Sequence, residues 1–115
     1  MPTPTQTPED PDAVAIALCS CPDRETASRI AESVVGERLA ACVSQIPVVE
    51  SVYFWDGRLQ TGQEILLMIK TTFGALPALE ARIKALHPYE LPELVAIRTA
   101  GGSEAYLDWV RSAIG

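Results

Sequence analysis

Two cysteines, Cys19 and Cys21, stand two residues apart in an apolar run, and His87 is the only histidine in the chain. Residues two apart on a strand project to one face, so the two thiols should share a side. Thiolate and imidazole are soft donors that suit copper or zinc. Glu90 and Glu93 follow His87 closely and offer carboxylate oxygens. A metal site drawn from Cys19, His87, Glu90 and Glu93 is therefore the first chemistry to weigh. Each residue also has a plainer use. A small cysteine in an alanine-rich strand packs as inert core. His87 follows a helix whose terminal carbonyls favour an imidazolium, and glutamates mostly face water. Cys42, between a helix and an apolar strand, is expected in the core.

Catalysis finds little material. The sequence has no Ser-His-Asp order, no Walker-type phosphate loop and no H-E-x-x-H pair. No carboxylate is singled out as a proton-transfer partner for His87, and the chain is read as a non-enzyme. Tyr53, Trp55, Tyr89, Tyr106 and Trp109 are aromatic enough to line a ligand site. Such side chains mainly supply buried area and interface anchors, and that structural role is the one expected.

Composition narrows the partners. Fifteen acidic against nine basic side chains give a formal charge of −6, and the basic residues are scattered singly. Nucleic acid and anionic membranes both demand clustered Lys and Arg, so neither is expected. The first twelve residues hold four prolines and three carboxylates without an apolar run. Met1–Asp12 reads as a disordered leader, neither signal peptide nor anchor. A cytoplasmic location follows, with the three cysteines as free thiols.

The elements that must position these residues follow from periodicity. Ala13–Cys21 reads as a buried strand ended by Pro22, and Asp23 caps a helix over about residues 23–39. Ala41–Trp55 and Arg58–Thr72 read as long strands joined at Asp56-Gly57, a type I′ turn signal. Pro47 cannot donate to a ladder, so that strand must bulge or lie at an edge there. A second helix is expected over Ala75–Leu86, a last strand over Leu94–Thr99, and a terminal helix capped by Ser103. Residues 13–115 then form one domain.

The order is βαββαβ plus a helix, an α+β ferredoxin-like domain. Right-handed crossovers give an antiparallel sheet of order 4-1-3-2 with both main helices on one face. Ile65, Leu66, Leu67, Met68 and Ile69 run consecutively, so the return strand is apolar on both faces. Helices cover only one of them, and the 48% apolar content leaves little polar material for the other. The bare face should be closed by association with further copies.

Several segments resemble the CutA-type divalent-cation tolerance proteins. They are Leu18-Cys19 before Pro22-Asp23, Leu39-Ala40-Ala41-Cys42-Val43, and Ser51-x-Tyr53-x-Trp55-x-Gly57. Further on come Glu64 with Lys70-Thr71, then His87-Pro88-Tyr89-Glu90-x-Pro92-Glu93, and Tyr106-Leu107-x-Trp109. Ser44 stands where that family often has Asn. The resemblance implies a cytoplasmic homotrimer, similar in fold to the PII signalling proteins, tied to divalent-metal tolerance and copper binding. It implies Cys19 as a copper ligand. The family site can include paired histidines before Pro-Tyr, whereas here Leu86 precedes His87. A PII-like trimer that binds a small effector or a protein partner is the alternative function.

Overall fold

A computed structural model describes residues 10–115. The leader expected over Met1–Asp12 lies outside the described residues as far as residue 9. Asp10–Asp12 form a turn: the Asp12 amide donates to the Asp10 carboxylate at 2.9 Å and Gly74 N–H donates to the Pro11 carbonyl at 2.9 Å.

Strand β1 (Val14–Cys21) is the centre of the sheet. Its alternate residues Ala15, Ala17, Cys19 and Cys21 have no exposed surface. They are small because two helices press directly onto this face. Asp23, in extended backbone, caps α1 (Arg24–Gly36) by accepting from Thr26 N–H at 2.8 Å. The same bond holds the Asp23 carboxyl below its usual value. Ala27, Ile30 and Val34 of α1 meet Leu79 and Ile83 of α2 (Leu76–Leu86) over Cys19, Leu67 and Ile69. A 3-10 turn (Phe73–Ala75) leads into α2.

Strands β2 (Cys42–Trp55) and β3 (Arg58–Thr72) form the long hairpin. Asp56 and Gly57 both have positive φ, as the type I′ turn requires. With β4 (Val95–Arg98) the sheet order is β2-β3-β1-β4, the expected 4-1-3-2 read from the other edge, and every pairing is antiparallel. The Pro47 irregularity is present on what is also an edge strand. Ile46 pairs with Leu66 but Val49 pairs with Glu64, so β2 carries one extra residue there.

That extra residue has a large consequence. Before the bulge Ser44 and Ile46 share the face turned away from α1 and α2. After it the parity flips, and Val49, Ser51, Tyr53 and Trp55 take that face alongside Glu64. The same face carries Ile16, Leu18, Leu66, Met68, Val95 and Ile97 across three strands. Val95 and Ile97 are more than half exposed. Element order alone leaves this face bare, but in the structure it is not entirely so. Helix α3 (Glu104–Ala113) packs Val110 against Val14 and Ala41 and closes one end of it. Cys42 is half-buried at that end rather than in the main core, because its register partner Lys70 places it on the open face.

Candidate metal centre and an adjoining cavity

His87 sits where α2 stops. It is the helix's C-cap residue, and its backbone N–H still donates to Ile83 O at 2.8 Å. Its extended backbone turns the ring onto the end of β1. There Nε2 lies 2.8 Å from Ser20 O, and Nδ1 lies 3.1 Å from Tyr89 N–H. A carbonyl can only accept and an amide N–H can only donate. The ring therefore carries its proton on Nε2 and accepts at Nδ1.

Ser20 lies between the two core-facing cysteines, so this contact brings the imidazole to the thiols. The donor atoms of Cys19, Cys21 and His87 all lie within 4.8 Å of one another, and all three residues are buried. The Cys19 Sγ lies 3.9 Å from Ser20 O, and the neighbouring Cys21 thiol together with burial pushes the Cys19 thiol far above its ordinary value. The contact between the two thiols lowers Cys21.

Glu90 and Glu93 are not in this cluster. They line a cavity of about 740 Å³ on the opposite side of β1, together with Ser20, Ser51, Glu64 and Tyr89. Tyr53 and Trp55, delivered by the bulge, form further wall. Glu64 is fixed by two donors, Ser51 O–H at 2.8 Å and Tyr89 O–H at 2.7 Å. Burial and the bond to Glu64 raise the Tyr89 hydroxyl above its usual range, so it remains a donor. Ser20 O–H donates to Glu93 at 3.3 Å. The ring of Tyr89 rests against His87, centroids 4.6 Å apart. The buried cluster and the open cavity are thus two sides of one wall made by Ser20, His87 and Tyr89.

The model of the CutA1 divalent ion tolerance protein family matches residues 15–113. The chain belongs to the CutA1 family. Among its relatives is the divalent-cation tolerance protein CutA of Thermus thermophilus, 48% identical over 100 residues that cover 87% of this chain and 97% of that protein. A human protein CutA is 43% identical over 101 residues, and there the match covers 88% of this chain but 56% of the human protein. Solved structures agree in fold. The Thermus thermophilus protein superposes with a TM-score of 0.87 at 47% identity, covering 89% of this chain and 99% of the other. CutA from Xylella fastidiosa gives 0.87 at 43%, covering 90% and 99%.

Within this CutA1 chain, Glu64 and Ser51 stand in segments of the family pattern, yet only the folded hairpin gives them a role. Cys21 was readable from its spacing to Cys19. Its closeness to His87 depends on where α2 ends.

Proposed function

We propose that this CutA1-family chain is a non-catalytic, cytoplasmic homotrimer of divalent-cation tolerance that binds a soft metal ion, foremost copper, through Cys19, Cys21 and His87. The observation that carries the reading is the convergence of two thiols and an imidazole within 4.8 Å. Donors around one ion, with bonds near 2.0–2.3 Å, stand roughly 3.3–3.8 Å apart in a tetrahedral site. The cluster would have to contract to reach that spacing. His87 would exchange one of its two backbone partners for the metal, and the Cys19 thiol would give up its proton. Sulfur and nitrogen donors favour copper and zinc over the hard cations. Three unpaired thiols support a reducing compartment.

Trimer formation is supported by the apolar open face, where Ile16, Leu18, Leu66 and Met68 are covered in this chain only in part. A patch of this kind on a soluble protein marks an interaction surface.

The test is calorimetric titration of metal-free protein with copper(I) and with zinc, under anaerobic conditions, on the parent chain and on Cys19→Ser and His87→Ala. Both variants should lose tight binding. Unchanged stoichiometry and affinity in both would remove this site.

A second reading rests on a different observation, the cavity beside Glu64. A PII-like trimer that carries a small effector would need such a space, and ligand cavities commonly span about 300–1,000 Å³. Glu90 and Glu93 belong to this reading rather than to the soft-metal cluster.

A further inference from the structure

The cavity beside Glu64 has a chemical bias that points to one class of occupant. Within a single chain its lining includes the carboxylates of Glu64, Glu90 and Glu93, and no lysine, arginine or histidine side chain of that chain's described residues lines it. Tyr53, Trp55 and Tyr89 supply aromatic wall. Carboxylates beside aromatic rings attract cations by charge and by the ring quadrupole.

The fixed geometry of Glu64 adds detail. Each of its oxygens already accepts one O–H, from Ser51 and from Tyr89. A carboxylate offers about four acceptor positions, which leaves about two for a ligand. An N–H donor fits those positions. A bare hard cation fits them poorly, because it asks for six or more oxygens closing tightly around it. The cavity, at about 740 Å³, has room for a molecule of many atoms. Aromatic and apolar wall, including Val52 and Leu91, suits the carbon part of such a molecule.

We propose that this cavity binds a small organic cation carrying a primary ammonium or amidinium group. Glu64 takes the N–H donors, Glu93 and Glu90 add charge, and the aromatic residues of the hairpin cover the carbon skeleton. The assignment rests on the effector-binding reading of the same cavity and deepens it. It does not require metal at the cysteines, although Ser20 and Tyr89 join the two sites through His87.

The full-length protein, metal-free, is titrated calorimetrically with 1,4-diaminobutane and with benzamidine. Glutarate and 1,4-butanediol, similar in length to the diamine, serve as the anionic and neutral controls. Saturable binding of at least one cation is expected, weakened by added salt, with neither control binding. Glu64→Gln and Glu93→Gln should each weaken it about tenfold or more, an effect typical of a lost charge-assisted contact. Glu90→Gln, at an exposed position, should weaken it less while leaving the fold untouched, so the assignment does not hang on one variant's folding. Saturation by glutarate or butanediol in place of the cations would overturn the ligand class but leave a ligand cavity. Absence of saturation by every probe would overturn both the class and the effector reading. Competition by magnesium at equal strength would also overturn it, since the site would then be a hard-cation site.

Discussion

At the scale of single residues, the protons matter most. The Cys19 thiol is held protonated by its contact with Cys21 and by burial, so a metal entering the cluster must expel that proton. Affinity for copper(I) or zinc should therefore rise with pH throughout the range below the ordinary thiol value of 9.0, with proton release detectable as a buffer-dependent heat. A pH-independent affinity would place the metal elsewhere. Asp23 titrates with the opposite consequence for the fold. Its folded-state value is depressed by the Thr26 N–H. Its stabilisation is then complete above the ordinary carboxylate value of 3.8 and is lost as pH falls through the lowered one. Asp23→Asn keeps a capping acceptor but removes the charge. The variant should fall slightly below the parent near neutral pH, converge with it in acid, and so show less acid-dependent loss of thermal stability. His87 illustrates a residue with two uses. As a single side chain it ties α2 to β1 through Ser20 O and Tyr89 N–H, and the same ring is the nitrogen donor of the proposed metal site.

Among the elements, the bulge in β2 decides where function can sit. Deleting Val48 restores an unbroken register between Ile46 and the rest of the hairpin, and a one-residue slip sends every following side chain to the other face. Ser51, Tyr53 and Trp55 should leave the cavity and Glu64 should lose its Ser51 bond. The expected result is lost binding of the cationic probes with far-UV circular dichroism unchanged. Retained binding would show that the bulge does not build the cavity. Pro47 made an irregularity readable from sequence, since a residue without an N–H interrupts a ladder. Sequence could not say which side chains the irregularity would re-aim, because that depends on how β2 pairs with β3. The helices were legible for a simpler reason: Ile30, Val34, Leu79 and Ile83 repeat at helical spacing and all end buried. What was not legible was the docking of α2 at the end of β1. That contact brings His87 to Cys19 and Cys21 and sends Glu90 and Glu93 past the strand to the other side. Helix α3 was found as an amphipathic segment, while its cover over Val14 follows only from the packed structure.

For the whole molecule, the two faces of the sheet lead separate lives. One is sealed by α1 and α2 around Leu67, Ile69 and Ala17. The other keeps Leu18 beside Met68 and Val95, only partly covered. Leu18→Asp should be tolerated in an isolated chain, because the side chain still reaches water. In an assembly that buries this face, an unpaired carboxylate costs several kcal/mol. Sedimentation should therefore show a trimer for the parent chain and dissociation for the variant. A parent chain that sediments as a monomer would remove the assembly altogether. The most direct test of the metal assignment is a crystal structure of the copper(I)-loaded protein with anomalous scattering measured at the copper edge. The expected map has one peak per chain between the sulfurs of Cys19 and Cys21 and the His87 ring, in a three-fold assembly joined through the open face. Copper found only on surface carboxylates, with the Ser20–His87–Tyr89 hydrogen bonds undisturbed, would contradict it.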